Sequence, residues 1–217
     1  MRNWFFLWIL FFLQITFFGC KQNAEDEYLN HITEQREAID ALFKDSKTSP
    51  LNDEDIQNFE GLKYYPVDVK FRLNARLEKD TSESIIEFPH TMNRKYPYLC
   101  YCMVYFIIKN QNCSLKVFMN EEFTKSKEEG PKRLFIPFTD LSNDSFTYEG
   151  GRYIDVELPK DTGIVIDFNT AYNPYCAYNP FYSCPIVPEE NFLNHMIMAG
   201  EMRFKNFNDL KEKGEVH

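Results

Sequence analysis

The sequence lacks the short motifs that mark the common metal, nucleotide and serine-hydrolase sites. It has no HExxH or CxxC spacing, and its four histidines, at 31, 90, 195 and 217, do not stand at the short spacings of a typical zinc site. It has no P-loop and no GxGxxG fingerprint, so nothing in it indicates a bound nucleotide. It also has no GxSxG elbow and no recognisable Ser/His/Asp spacing. We therefore expect no metal and no cofactor.

Positive charge is also scarce. Lys and Arg number 24 against 33 Asp and Glu, which gives a formal net charge of -9. Non-specific nucleic-acid binding needs clustered cations that displace counterions from phosphates, so we exclude nucleic acid as a partner. The apolar fraction of 44% is that of an ordinary folded protein, and 217 residues suffice for one domain with a small appendage.

The apolar run at the N-terminus is short for a helix that crosses a bilayer. It covers residues 4–18, whereas a spanning helix needs roughly 20 apolar residues. Arg2 precedes the run and Gly19 follows it, which is the layout of a secretory signal. We therefore predict that residues 1–19 are a signal peptide and that the rest of the chain is extracytoplasmic.

Cys20 stands directly after this signal. Residues 17–20, Phe-Phe-Gly-Cys, resemble the lipobox of bacterial lipoproteins, in which the cysteine carries the lipid. The expected partner is therefore the membrane of the bacterial cell envelope, reached through a lipid at Cys20 on the periplasmic face or at the cell surface. An ordinary secretion signal and an uncleaved anchor are the alternatives.

The rest of the chain divides into a helical part and a mainly-β part. An apolar stripe at helical spacing, from Tyr28 to Phe43, predicts a helix over residues 25–44. From Val69 onward, apolar and polar residues alternate instead, as they do in half-buried strands. The predicted layout is a tether at 20–24, a helical segment at 25–60, a mainly-β domain at 61–205 and a polar tail at 206–217.

Many short strands at close spacing predict a sandwich or a barrel. Residues 98–108 are apolar on both faces, which predicts a central strand. The fold class that we predict is α+β: a mainly antiparallel β sandwich or barrel-like sheet with an N-terminal helix packed on it. The other predicted strands are 69–77, 84–88, 114–119, 133–138, 153–158 and 164–168, with 196–199 as one more.

A short repeat interrupts the strand pattern after residue 168. Residues 171–176, Ala-Tyr-Asn-Pro-Tyr-Cys, are followed at once by 177–182, Ala-Tyr-Asn-Pro-Phe-Tyr. A proline disfavours the helical region for the residue before it, so both asparagines lie in extended or turn geometry. The repeat therefore predicts a stiff aromatic loop, and we expect any ligand site to lie within residues 167–201.

The loop and the segments before and after it contain short motifs that match those of a known protein family, in the same order along the chain. The matching segments are Ser49-Pro50-Leu51, Phe59-Glu60-Gly61-Leu62, Tyr64-Tyr65-Pro66, Ile136-Pro137-Phe138, Thr147-Tyr148, Gly151-Arg152-Tyr153, Asp167-Phe168-Asn169, Ala171-Tyr172-Asn173-Pro174, Cys176-Ala177-Tyr178, Cys184-Pro185, Pro188, Glu190-Asn191 and Ala199-Gly200-Glu201. Together they resemble a bacterial family catalogued as domain of unknown function 1684, some of whose members are lipoproteins. The resemblance covers roughly residues 34–201 and implies no activity.

Five cysteines are present besides Cys20. Cys100 and Cys102 lie two apart on a predicted strand, so we expect them to point the same way and to pack in the core. Cys176 and Cys184 flank the second half of the repeat, and in an oxidising compartment we predict a disulfide between them. A metal-binding pair is the alternative, which the shortage of histidine disfavours.

Polar and aromatic side chains of the matched segments are the candidate site residues. Carboxylates among them could perform acid–base catalysis or bind an ion. Alternatively, the polar groups satisfy the backbone of a loop that cannot pair in a sheet, and Arg152 pairs with a carboxylate, with Glu201 as the expected partner. The candidates are Arg152, Asp167, Asn169, Tyr172, Asn173, Tyr178, Glu190, Asn191 and Glu201.

The tyrosines of the loop are open to two interpretations as well. They could stack on a sugar or a peptide, or they could plug the end of a barrel. We predict a binding or structural module of the cell envelope rather than an enzyme, with a small molecule, a glycan or a peptide as its ligand if it has one. The alternative is an extracytoplasmic hydrolase that uses Asp167, Glu190 or Glu201.

Overall fold

The computed structural model describes residues 4–82, 84–120, 132–159 and 163–204, with the backbone alone for residues 4–22. The chain forms two compact units, residues 1–42 and residues 43–217.

The first unit is helical. Helix α1 spans Trp4–Lys44. It ends at the predicted residue but begins earlier than predicted, because the apolar run continues the same helix. Among the helices that the structure describes, none is both long enough and apolar enough to cross a membrane.

The second unit holds a short helix, α2 (Asp53–Gln57), and a sheet of eight strands within the described residues. The strands are β1 (Arg72–Lys79), β2 (Ile85–His90), β3 (Arg94–Ile108), β4 (Gln111–Asn120), β5 (Arg133–Asp140), β6 (Arg152–Glu157), β7 (Gly163–Asp167) and β8 (Phe192–Leu193). Their order is β6-β5-β4-β3-β1-β7, with β2 paired to β3 and β8 paired to β5.

Every strand pair is antiparallel except β5 with β8. Strands β6 and β7 stand at the two ends of the order and contact each other, so the sheet is nearly closed into a barrel. The prediction of a mainly antiparallel, barrel-like sheet with an N-terminal helix is confirmed.

One predicted strand begins too early, and another does not form. Residues 69–71 form a 3₁₀ turn before β1, because the Asp68 side chain accepts the N–H of Lys70 at 2.9 Å and caps the turn. Residues 196–199 form no strand. The chain pairs earlier instead, at β8, which runs parallel to the end of β5.

Strand β3 is central, as predicted, and pairs with β1, β2 and β4. A bulge at Tyr101 sets Cys100 opposite Phe118 and Cys102 opposite Val117. Val117 and Phe118 are neighbours in one strand and point to opposite faces of the sheet. Cys102 and Cys100, which lie opposite them, therefore also point to opposite faces. The prediction that Cys100 and Cys102 point the same way is therefore wrong.

The bulge separates two hydrophobic cores. One fills the barrel and includes Cys102, Val104, Leu115 and Ile136. The other is a small aromatic core on the opposite face, made by Phe88, Tyr98, Cys100 and Phe118. Phe88 packs edge-on against Phe118 with ring centroids 4.7 Å apart, a geometry that adds about 0.5–1.5 kcal/mol to the burial of area. The candidate site is built beside this aromatic core.

Candidate functional site

The segment between β7 and β8, residues 168–191, is the aromatic loop. Backbone hydrogen bonds fasten it to the sheet near both ends. Near its start, Tyr172 pairs with Tyr153 of β6 through N–H···O bonds of 2.9 and 3.0 Å. Near its end, the N–H of Ile186 donates to the carbonyl of Pro89 in β2 at 2.9 Å. The loop therefore bridges β6 and the β2–β3 hairpin.

Glu201 holds the first Asn-Pro turn of the loop. Its buried carboxylate accepts the backbone N–H of Asn173 at 3.0 Å and the side-chain amide of Asn173 at 2.9 Å. The Tyr178 hydroxyl donates to the same carboxylate. Burial raises the pKa of Glu201 to about 7, although these donors oppose the rise. Glu201 therefore combines a structural contact with a pKa near neutrality.

Gly200 allows Glu201 to approach the loop so closely. Its φ of 75° lies in the left-handed region that favours glycine. A Cβ at this position would lie 2.6 Å from the carbonyl oxygen of Ala171. The Glu201 N–H donates to that oxygen at 2.8 Å. A larger residue at 200 would push Glu201 away from the loop.

Arg152 is fully buried at the start of β6. Its guanidinium forms an ion pair with Asp140 at 2.9 Å. It also donates to the carbonyls of Ile197 at 2.9 Å, of Glu201 at 3.2 Å, and of Ala199. Burial lowers the pKa of Arg152, and the Asp140 carboxylate opposes this effect. Arg152 thus connects the end of β5 to the segment that carries Glu201.

The prediction that the Glu201 carboxylate is the partner of Arg152 is wrong, and strand register explains why. Phe138 of β5 lies opposite Arg152 of β6. Asp140 is two residues further along β5 and points to the same face, which brings its carboxylate to the guanidinium. The guanidinium donates to the backbone carbonyl of Glu201 instead of pairing with its carboxylate.

Asn169 and Asp167 fasten the start of the loop to the segment before β1. The Asn169 amide accepts the N–H of Asp68 at 3.0 Å and donates to its carbonyl at 2.9 Å, which imitates a strand pair. Asp167 accepts the N–H of Asn169 at 3.0 Å and lies 3.7 Å from the Arg72 guanidinium. Both side chains therefore supply partners to a backbone that has left the sheet.

Asn191 likewise supplies hydrogen-bond partners to backbone groups at the other end of the loop, between β4 and β5. Its buried amide accepts the N–H of Lys116 at 2.7 Å and donates to the carbonyls of Lys116 and Pro137 at 2.8 and 2.6 Å. Its neighbour Glu190 is exposed. The Lys116 ammonium, 2.7 Å away, lowers the pKa of Glu190.

The two candidate tyrosines, Tyr172 and Tyr178, pack within the fold. Tyr178 lies edge-on to Phe43 and to Phe204, with centroids 4.8 and 5.2 Å apart. The Tyr172 hydroxyl donates to Asp155 at 2.9 Å. Burial raises the pKa of both tyrosines well above the usual value. Their rings serve as plugs, and a ligand would have to stack elsewhere.

The three candidate carboxylates do not meet at one place. Asp167 caps the start of the loop, Glu190 lies at the surface beside Lys116, and Glu201 is buried beneath the first Asn-Pro turn. A glycosidase pair would face each other across an open cleft at about 5–10 Å. Within the ranges that the structure describes, no group of three or more His, Cys, Asp or Glu side chains is placed to hold a metal ion.

Cys176 and Cys184 come together in the folded loop, but both are free thiols, so the predicted disulfide is absent from this structure. In the turn at residues 175–177, the N–H of Cys176 donates to the Cys184 sulfur, 3.1 Å away. Hydrogen bonding from the Cys184 thiol lowers the pKa of Cys176 to about 7. The Tyr148 hydroxyl lies 3.7 Å from the Cys176 sulfur and lowers the same pKa.

An open cleft lies between the aromatic loop and the β2–β3 hairpin. Its volume of about 350 Å³ is in the range of small-ligand sites. The loop supplies Phe181, Tyr182 and Ser183. The hairpin and the end of β4 supply the other lining residues that the structure describes, which are His90, Arg94, Tyr96, Tyr98 and Asn120.

His90 is the buried polar residue of this cleft. Its side chain is 8% exposed and lies against Tyr96, with ring centroids 4.6 Å apart. Neither ring nitrogen has a hydrogen-bond partner among the described residues. Burial lowers the pKa of His90, and the nearby Ser183 backbone offsets only part of this, so the ring is neutral at pH 7. Because a buried polar group without a partner is costly, the ring marks a place where a ligand would be stabilised.

Sequence reasoning places the site in the aromatic loop and misses the hairpin side of the cleft. The predicted strands leave residues 89–97 as a connection, whereas β2 continues to His90 and β3 begins at Arg94. The sequence does contain a pattern that indicates this hairpin. On both sides of a three-residue turn, every second side chain points to the same face of the sheet. The residues in that pattern are Phe88, His90, Arg94, Tyr96 and Tyr98.

A solved structure of another protein has a similar fold. The solution NMR structure of an uncharacterized protein from Haloarcula marismortui is 29% identical in sequence, with a TM-score of 0.65. The match covers 83% of this chain and 96% of that chain. A comparison with curated proteins gives no match. A family model described as "Protein of unknown function (DUF1684)" matches residues 57–202, which include β1 to β8 and the aromatic loop. The chain therefore belongs to the DUF1684 family, as the resemblance predicts.

Proposed function

We propose that the protein is a lipoprotein of the cell envelope whose DUF1684 domain is a ligand-binding module. The observation that carries the binding function is the open cleft between the aromatic loop and the β2–β3 hairpin. It combines aromatic surface with a few polar groups, as small-ligand sites do. On this proposal the lipid holds the domain at the membrane, and the cleft faces the extracytoplasmic space.

The rim of the cleft supports a binding role. Phe181 is 86% exposed, and the neighbouring Tyr175 and Tyr182 are exposed as well. Tyr175 lies edge-on to Tyr182 with ring centroids 5.2 Å apart, so the three rings form an aromatic patch at the mouth of the cleft. Clustered apolar surface of this kind is more typical of an interaction site than of an inert surface.

The positions of the candidate carboxylates favour a binding module over a hydrolase. None of Asp167, Glu190 and Glu201 is among the residues that line the cleft. Asp167 and Glu201 accept hydrogen bonds from the loop itself, and Glu190 pairs with Lys116. A catalytic acid or base must reach the reacting bond of a bound substrate, and these groups are engaged elsewhere.

The N-terminal segment supports the proposed location. The family match begins at residue 57, which leaves the signal-like run and Cys20 outside the conserved domain model. An acidic chain with a net charge of -9 has no electrostatic attraction to anionic lipid headgroups, so a covalent lipid is the simplest means of attachment. A single acyl chain binds membranes weakly, whereas a multiply acylated cysteine gives stable attachment.

Cys20→Ser is expected to release the protein from membranes. The serine variant cannot carry the thioether-linked lipid, so it should move from the membrane pellet to the soluble extracytoplasmic fraction. Cys113→Ser is the matched control, because Cys113 is a free cysteine of β4 and its loss should leave the protein in the pellet. Fractionation and intact mass spectrometry measure both effects. A wild-type protein that is soluble and carries no acyl mass contradicts the lipid anchor.

The binding half of the proposal is tested by titration of the protein with small sugars while the His90 ring signals are followed by NMR. Saturable shifts of the His90 signals support a binding cleft. A His90 ring that responds neither to the sugars nor to acetyl-dialanine, a small peptide carboxylate, contradicts it.

A further inference from the structure

Among the described residues, the lining of the cleft differs in charge from the chain as a whole. The whole chain has a net charge of -9, yet the part of the lining that the structure describes includes no aspartate or glutamate. Arg94 supplies a positive charge there. Among the described residues, Arg94 forms no ion pair. Its guanidinium is therefore available to a ligand.

Arg94 and His90 lie side by side. They are directly opposite in the register of the β2–β3 hairpin, so their Cβ atoms are about 4.5–5.5 Å apart on one face of the sheet. A guanidinium offers a fork of N–H donors that fits a carboxylate, and the neutral imidazole adds one N–H donor. The buried His90 ring gains a partner if a ligand oxygen lies between the two side chains. This arrangement is suited to a carboxylate.

The other side of the cleft is suited to a ring that has both an apolar face and hydroxyl groups. Phe181 and Tyr182 offer aromatic faces at the rim, and Ser183 and Asn120 offer polar groups. A peptide is a poorer fit, because an extended peptide adds to a free strand edge. At the end of β2 that borders the cleft, the outer edge already has partners: Ile186 donates to Pro89, and His90 forms a bridge with Pro185.

We propose that the cleft binds an acidic sugar, with the carboxylate at Arg94 and His90 and the ring against Phe181 and Tyr182. This inference rests on the proposed binding function and adds the class of ligand. A volume of about 350 Å³ accommodates a mono- or disaccharide unit of a larger acidic glycan. The interaction is non-covalent, and it weakens as ionic strength rises because the Arg94 side of the cleft is open to solvent.

The test uses pairs of sugars that differ only in the carboxylate. The full chain, kept in mild detergent and labelled on histidine, is titrated with methyl glucuronide and methyl glucoside, and with the corresponding galacturonide and galactoside. We expect an acidic sugar to shift the His90 ring signals saturably and to bind about tenfold more tightly than its neutral counterpart. Acetyl-dialanine, which has a free carboxylate but no sugar ring, should bind no better than the neutral sugars.

Two variants locate the preference. Arg94→Gln should abolish the difference between acidic and neutral sugars while the weak binding of the neutral sugar persists. Arg76→Gln is the matched control, because Arg76 is an exposed arginine of β1 outside the cleft, and the preference should be unchanged.

Each outcome decides a different part of the proposal. Equal shifts of His90 by acidic and neutral sugars overturn the acidic ligand and leave the binding cleft in place. Tighter binding of acetyl-dialanine than of the acidic sugars overturns the sugar in favour of a peptide carboxylate. A His90 ring that responds to no probe overturns both the acidic ligand and the binding function of the cleft.

Discussion

Replacing Arg152 with alanine is expected to bring the protein to the edge of unfolding. The substitution leaves the Asp140 carboxylate buried without its partner, and it removes the donor from the carbonyls of Ile197, Ala199 and Glu201. Removal of one member of a buried pair costs about 3–5 kcal/mol, a large part of the roughly 5–15 kcal/mol that keeps a domain folded. Urea unfolding followed by circular dichroism measures the loss of stability.

Two variants control for the loss of an arginine as such. Arg76 also pairs with a carboxylate, that of Glu78 at 3.0 Å, but both side chains are mostly exposed, so Arg76→Ala should cost at most about 1 kcal/mol. Arg152→Lys keeps the charge but loses the fork of donors, so its stability should fall between those of the two alanine variants. If Arg152→Ala unfolds at the same urea concentration as Arg76→Ala, the structural role of Arg152 is wrong.

Glu201 is expected to make a contribution to the free energy of unfolding that decreases as the pH rises. The pKa of Glu201 is about 7 in the folded protein against 4.5 for the free side chain, so the folded state binds the proton more tightly. This contribution is complete below pH 4.5 and is lost as the pH rises through about 7. At 1.36 kcal/mol per pKa unit, the loss amounts to roughly 3 kcal/mol.

Glu201→Gln isolates this contribution. His90 and Cys176 have lowered pKa values, so their contributions to the free energy of unfolding increase as the pH rises, opposite to that of Glu201. The pH profile of wild type alone therefore mixes several groups. The difference between wild type and Glu201→Gln cancels these other terms. We expect the free energy of unfolding of wild type, relative to the variant, to fall by roughly 2.5 kcal/mol between pH 5 and pH 8.5. Parallel profiles would show that Glu201 has an ordinary pKa and is not buried as described.

The features that the sequence predicts correctly are local ones. The apolar run along β3 and the two Asn-Pro pairs of the loop are encoded in neighbouring residues, so a central strand and a loop outside the sheet follow from them. The ion pair of Arg152 with Asp140 depends on the register of β5 against β6, which no short segment contains. The bulge at Tyr101 is likewise a property of two paired strands, so the opposite directions of Cys100 and Cys102 could not be predicted.

The candidate site is predictable in part for the same reason. The residues that hold the loop, such as Asn169 and Glu201, lie in the segments that the sequence singles out. The cleft needs the β2–β3 hairpin and the aromatic loop together, although Pro89 and Ile186, which join them, are nearly a hundred residues apart in sequence. Sequence reasoning therefore indicates the loop that supplies one side of the cleft and misses His90 and Arg94 on the other side.

The central claim is that the side chains of Asn169, Asn191 and Glu201 clamp the aromatic loop and its neighbouring segments in place. Three backbone N–H groups report on it, because their acceptors are side chains of the candidate residues. Asn173 donates to the Glu201 carboxylate at 3.0 Å, Asp68 donates to Asn169 at 3.0 Å, and Lys116 donates to Asn191 at 2.7 Å.

Native-state hydrogen exchange of these three amides is the most direct measurement. If the side chains are clamps, the amides exchange only in large openings and are protected nearly as strongly as those of β3. The Phe181 N–H, which donates to the Asn179 side chain at the exposed rim, is the internal control and should exchange faster by orders of magnitude. Exchange at Asn173, Asp68 and Lys116 as fast as at Phe181 would mean that the loop opens freely, and it would contradict the structural role of the candidate residues.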